Sequence, residues 1–443
     1  MGDSLLPYAA VGALVYVLTL ADLRLGLGLT MLCIALSPEL PPEVGIANLR
    51  LEDLLLPGVV LSWLVRMARE RQAFEPTPLQ VPILLYLLLA AVSALHAVSL
   101  GGADAVRSVF FYGKVAEYFV FYLVFLNNVR TPEEARAFGV CALVAAGVLG
   151  VWGIHDFLVG GEAFAYGKMS GPPGETSNVL GGYFVFHLCL AIGVLVEMEG
   201  TGKRLVLVGY LLLLFVPFLL TLSRTSYAAL FGALVTVGLL RRRSLLLWMF
   251  AAVMVLPYFV SESVLARAAT IFDIFGDSPP SSWSARVYAW DIFGRRALAH
   301  PLLGLGVGTV SPGRVDNGYL HMLVETGIPG TIAFLWFLGA TLLLAHRAHV
   351  GHAGQPFLRG LALGFLCGTV GLMLHAFGAP TFTAIRTMEP FMVLLGVVTV
   401  LANRAGEWGG EGRAAAGAEA RASDLMIVTT DAAKSPTPSP KPQ

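Results

Sequence analysis

The chain has 443 residues, 56% of them hydrophobic and 13% charged, and its 29 Lys and Arg balance its 29 Asp and Glu. A soluble domain carries about a quarter charged residues. The composition therefore excludes an ordinary soluble enzyme, and the zero net charge gives no basis for nucleic-acid binding. What remains is an all-α, polytopic transmembrane bundle. Cys33, Cys141, Cys189 and Cys367 all lie inside apolar runs, with neither zinc spacing nor a disulfide framework.

A crossing helix needs about 20 largely apolar residues. In chain order the runs that qualify are 5–21, 24–37, 51–67, 79–99, 114–128, 137–159, 178–197, 205–221, 224–240, 244–260, 326–345, 358–376 and 383–402. The first two are short and nearly fused, so twelve or thirteen spans are expected. The N-terminus lacks a basic stretch before its apolar run, and no cleavable signal is expected. No internal repeat or inverted half is visible. Residues 1–403 form the membrane domain. Residues 404–443, rich in Ala, Gly, Glu, Ser and Pro, read as a disordered cytoplasmic tail.

Lys and Arg in short connectors mark the cytoplasmic side. They follow the third span (Arg66, Arg69, Arg71), the fifth (Arg130, Arg136), the seventh (Lys203, Arg204), the ninth (Arg241, Arg242, Arg243) and the eleventh (Arg347, Arg359). The alternate connectors, 98–113, 160–177, 221–224, 261–325 and 377–382, then face outward. The longest of these, 261–325, is polar and is where chemistry is expected.

Arg224 sits in LTLSRTSYAAL, in the first turn of the ninth span, with Thr221 and Ser223 as candidate N-caps. Free N–H groups and the positive end of the helix dipole beside a guanidinium suit an anion. The plainer alternative is an arginine snorkelling to the headgroups. In the loop, 283–300 reads as a helix ended by Pro301. Arg286 shares its apolar face with Trp290, Phe293 and Ala297, opposite Asp291 and Arg295. An arginine there needs a carboxylate or a bound anion. Asp316 and His321 flank the start of the next span, and either suits a general base; Asp316 equally suits a helix cap. GLGVG at 304–308 lacks a βαβ context and reads as a flexible turn. Asn317, Lys168 in a Gly/Pro-rich outer loop, Lys114 at the outer end of the fifth span and Arg386 near the outer face are secondary candidates.

Four stretches carry a resemblance: LTLSRTSYAAL, SARVYAWDIFGRRALAHPLLGLGVGT, DNGYLHMLVETGIPG and, more weakly, SGPPGETSNVLGGYF. Together they resemble the bacterial O-antigen ligase and polymerase superfamily of integral-membrane glycosyltransferases, over about residues 110–400. The resemblance implies about twelve spans in the bacterial inner membrane, one large periplasmic loop carrying the active site, and no metal or other cofactor. The implied donor is an undecaprenyl diphosphate-linked glycan and the implied acceptor another glycan or a lipid core. Arg224 and Arg286 match the family's two arginines thought to hold the donor diphosphate. The family usually has His-Asn where this chain has Asp316-Asn317, which leaves Asp316 or His321 as the base. A lipid-linked glycan flippase or polysaccharide transporter is the rival reading. Charges gathered at one face, without repeats, weigh against it.

Overall fold

The computed structural model describes residues 6–37, 50–160, 168–172, 175–241, 243–244, 246–247, 281–310 and 314–408. Regular structure among them is helical: α1 (Leu6–Ala21), α2 (Leu23–Leu36), α3 (Leu51–Glu70), α4 (Gln80–Ser99), α5 (Ala105–Asn128), α6 (Pro132–Val159), α7 (Ser177–Glu197), α8 (Thr201–Leu220), α9 (Arg224–Leu240), α10 (Ser281–Ala299), α11 (Gly318–Gly351), α12 (Pro356–His375) and α13 (Ile385–Asn403). Eight of these, α4 to α8 and α11 to α13, are long and apolar enough to cross a membrane. Helices α2 and α9 are apolar but shorter, as is the Gly12–Ala21 part of α1. Helix α3 has the length but carries Glu52, Asp53, Arg66, Arg69 and Glu70. Residues 245 and 248–260 of the expected span at 244–260, the start of the 261–325 loop and the tail from 409 onward lie outside the described residues.

Two helix starts differ from the sequence expectation. Helix α5 begins at Ala105, about two turns before 114, because Asp104 Oδ1 accepts the Arg107 N–H at 2.8 Å and caps an amphipathic first stretch. Lys114 is therefore mid-helix. Helix α11 begins at Gly318, capped by Asn317, and runs 34 residues through a break at Gly327 (φ 68°). At about 1.5 Å per residue that is roughly 50 Å, well beyond a hydrocarbon core of about 30 Å, so one end stands out of it. The last residues of the expected 261–325 loop are thus helical.

The core is organised around α7, α12 and α13. Helices α7 and α12 pack backbone to backbone: a Cβ on Gly193 would stand 2.3 Å from the Gly364 nitrogen, and one on Gly364 2.5 Å from Leu190 Cα. Small residues bring transmembrane helices this close. Phe365 stacks on Phe391 of α13, with Phe186 of α7 edge-on to both.

The ends of the bundle are chemically distinct. At one end Glu197, closing α7, meets Arg241 at the end of α9 and Arg359 at the start of α12. Arg130, after α5, pairs there with Glu70 of α3, and Arg404, after α13, with Glu75. These are basic connectors of the sequence reading or their neighbours. The opposite ends of the same helices carry Asn178, Arg224 and His375.

Candidate active site

Helix α9 starts from a turn in which Leu222 adopts a left-handed conformation (φ 49°). This is uncommon for a branched side chain and holds Ser223 at the N-cap position. Ser223 Oγ accepts the Ser226 N–H at 3.3 Å and donates to Asn178 Oδ1 of α7 at 2.9 Å. Ser226 Oγ lies 2.7 Å from Ser223 Oγ and 3.0 Å from His375 Nε2, and His375 Nδ1 lies 2.7 Å from Thr381 Oγ1. This buried chain fixes the first turn of α9, where half-buried Arg224 is the first residue. Lys168 belongs to the same end. The next residue, Met169, donates its N–H to the Leu220 carbonyl at 2.9 Å, pinning that loop on the α8–α9 turn.

Helix α10 presents Arg286, Trp290 and Phe293 half-buried and Ala297 buried, while Asp291 and Arg295 form an exposed pair on its outer face. The apolar-face arginine finds a carboxylate: Arg286 Nε donates to Asp316 Oδ2 at 3.1 Å. Asp316 is not the cap. Asn317 is, its Oδ1 accepting the N–H groups of Tyr319 and Leu320 at 3.1 and 3.0 Å.

The two arginine sites converge through the end of α12. Gly318 donates its N–H to the Ala376 carbonyl at 2.8 Å, one residue beyond His375. Two residues further, Gly378 lies so close to α9 that a Cβ there would stand 2.6 Å from Thr225 Oγ1, beside Arg224. The Arg286 guanidinium is within electrostatic reach of His375. Alongside, a groove of about 740 Å³ is lined by Trp290, Asn317, Leu320, Leu335, Met373 and Phe377, among others. It joins the polar site to the apolar flanks of α11 and α12.

Residues 209–335 match the family model described as O-antigen ligase. The match supports membership of the O-antigen ligase and polymerase superfamily. No curated protein matches the chain. The O-antigen ligase segment runs from α8 into α11 and contains Arg224, Arg286, Asp316, Asn317 and His321. Lys114, Lys168, His375 and Arg386 lie outside it.

Other expected residues go elsewhere. His321 is one turn into α11 and buried, its Nε2 3.4 Å from Glu325 Oε2. Glu325 Oε1 in turn accepts the N–H groups of Gly308 and Val310, at 3.0 and 3.2 Å. The GLGVG stretch is a turn, as expected, but a clamped one. Gly304, Gly306 and Gly308 all have positive φ, and a Cβ on Gly306 would stand 2.3 Å from Ala97 of α4. His321 thus faces this clamp instead of the Arg286–Asp316 pair.

Arg386 is fully buried at the start of α13, where its guanidinium engages Glu175 and the carbonyls of Ala35 and Ser37. Arg50 shares the same Glu175 oxygen. Burial alone would raise the Glu175 carboxyl, but Arg386 and Arg50 hold it below the usual carboxylate range. Lys114 pairs with Asp53 and Glu117 within the bundle. Neither residue donates to the Arg286–Asp316 pair. His349 and His352 spend their Nδ1 atoms on the carbonyls of Arg359 and Ala348. The residue that sequence reasoning missed is His375: it closes an apolar run, and nothing local marks its partners Ser226 and Thr381.

Proposed function

We propose that this protein is a membrane glycosyltransferase that moves or polymerises an undecaprenyl diphosphate-linked glycan at the outer face of the bacterial inner membrane. The carrying observation is that the O-antigen ligase match covers the segment whose two arginines converge at one end of the bundle. That end is opposite the basic connectors, and basic connectors stay cytoplasmic.

In this reading Arg224, Arg286 and the N-terminus of α9 hold the donor diphosphate. Planar guanidinium groups match phosphate oxygens and stabilise charge developing on the leaving group. The polyprenyl tail lies in the groove between α11 and α12, whose lining is almost wholly apolar. Asp316 takes the proton of the acceptor hydroxyl, whose oxygen attacks the anomeric carbon with inversion. The bond from that carbon to the diphosphate oxygen breaks, and its electron pair leaves with the diphosphate. Asp316 fits the base role better than His321, because its side chain is 33% exposed against 7%. In the resting site it is paired with Arg286. Engagement of Arg286 by the diphosphate frees the carboxylate, so donor binding switches on the base.

The test is a reconstituted assay with purified protein and an undecaprenyl diphosphate-linked glycan. Arg224→Ala and Arg286→Ala are each expected to lower transfer by about 100-fold or more, the scale for losing one transition-state donor. A ladder of products indicates a polymerase, and transfer to a lipid core a ligase. Normal transfer by both variants refutes the scheme.

A further inference from the structure

Away from the arginine site, α3, α5 and α13 enclose a second constellation of charged groups. One carboxylate oxygen each from Asp53, Glu117 and Glu389 lies within 4.8 Å of the others. Glu389 is fully buried, and neither of its oxygens has a hydrogen-bond partner; Glu117 Oε1 has none either. Lys114 does not explain the arrangement. Its ammonium pairs with Asp53 and with Glu117 Oε2 at 3.2 Å, and it makes no ion pair to Glu389. The other Asp53 oxygen accepts the Arg50 backbone N–H at 2.7 Å.

The charges around it do not balance. Glu52, Asp53, Glu117, Glu175 and Glu389 face Arg50, Lys114 and Arg386, five carboxylates against three cations among the described residues. The imbalance is two negative charges in a region where Glu52, Glu389 and the Glu175 side chain are buried and Asp53 and Glu117 half-buried. Burying even one unpaired carboxylate costs several kcal/mol, so something of charge +2 belongs here. Glu175 already has both arginines and Asp53 already has the lysine, which leaves Glu52 and Glu389, both fully buried with two unpartnered oxygens. Of these, Glu389 is the one grouped with Asp53 and Glu117.

We propose that Asp53, Glu117 and Glu389 form a binding site for one hard divalent cation, calcium or magnesium in chemical class. Oxygens bound to such an ion at about 2.1–2.5 Å stand at most about 4–5 Å from each other, which is the spacing here. All-carboxylate ligands select a hard cation over zinc or copper. The ion ties the start of α3 to the middle of α5 and the first turns of α13. It departs from the metal-free expectation of the sequence, and it takes no part in glycan transfer: its three ligands are not among the residues of the Arg286–Asp316 site. The competing occupant is a pair of protons on two of the carboxyls.

The test uses the purified full-length protein in detergent after treatment with a chelator, and needs no glycan. Manganese, a paramagnetic probe for oxygen sites, is titrated and followed by electron paramagnetic resonance, with calcium as competitor. The expected result is about one saturable Mn²⁺ per chain, displaced by Ca²⁺. Glu389→Gln should weaken binding at least tenfold. Lys114→Met should strengthen it, because it removes the ammonium competing for Asp53 and Glu117. Glu117→Gln, at the more exposed edge, serves as the second ligand variant if Glu389→Gln does not purify as a monodisperse species. Absence of saturable Mn²⁺ or Ca²⁺ binding overturns the proposal in favour of protonated carboxyls, as does wild-type affinity in the ligand variants.

Discussion

Arg286 shows how far a single residue can be read from a sequence. Its place on the apolar face of a helix demands a counter-charge, and helical periodicity alone exposes that demand. Which group answers it is a matter of tertiary structure: Asp316, 30 positions away. Arg386 is the converse case. From sequence it is one more arginine near the outer face; in the fold it is consumed by Glu175 and two backbone carbonyls. Glu175 holds that knot together, so its removal leaves Arg386 buried without a counter-charge. Glu175→Gln should destabilise the protein by about 3–5 kcal/mol at neutral pH. Arg386 and Arg50 hold the folded-state carboxyl below the usual carboxylate range, so its contribution is present above that range. It fades only as pH falls through the lower folded-state value. Thermal unfolding of wild type and Glu175→Gln across pH 3–8 checks this. The gap between them should be constant near neutrality and close on the acid side; a constant gap throughout contradicts the assignment.

At the scale of helices, the apolar runs locate α1 to α9 and α11 to α13 closely, because burial in lipid and in the bundle core demands the same composition. The starts of α5 and α11 escape that reading for one reason. Their first turns are amphipathic and carry Arg107, Asn317 and His321, so they do not register as apolar. The caps Asp104 and Asn317 are the local signals that mark them. Equally invisible is which helices touch. The glycines of α7 and α12 look like ordinary small residues until the structure shows Gly193, Gly360 and Gly364 each lying against the partner's backbone. Gly364→Ala should therefore lower the thermal unfolding midpoint by an amount equivalent to about 1–3 kcal/mol, the scale of overpacking a tight interface. Gly339→Ala, on a face of α11 with nothing within 4 Å, is the control and should be neutral or slightly stabilising. Equal behaviour of the two variants would show that the α7–α12 contact does not limit stability.

For the whole molecule, two independent observations favour the proposed outward-facing site. Basic connectors recur after every second span, which orients the chain. In the folded bundle, helices α7, α9 and α11 run one way and α12 the other. Each has one end in the cluster of Glu197, Arg241, His349 and Arg359 and the other beside Asn178, Arg224, Asn317 or His375. One pattern comes from composition, the other from packing. Both are what the proposed function requires: Arg224 and Asp316 on the face away from the cytoplasm, where a lipid-linked glycan already carried across the membrane would meet them. Site-directed labelling tests the orientation without any substrate. With Cys33, Cys141, Cys189 and Cys367 replaced, a single cysteine goes to Ala105, exposed at the start of α5, or to Thr201, exposed at the start of α8. A membrane-impermeant maleimide added to intact spheroplasts should label Ala105→Cys fully and Thr201→Cys only after lysis. The reverse pattern would put the Arg286–Asp316 pair in the cytoplasm and remove the case for a donor presented from outside.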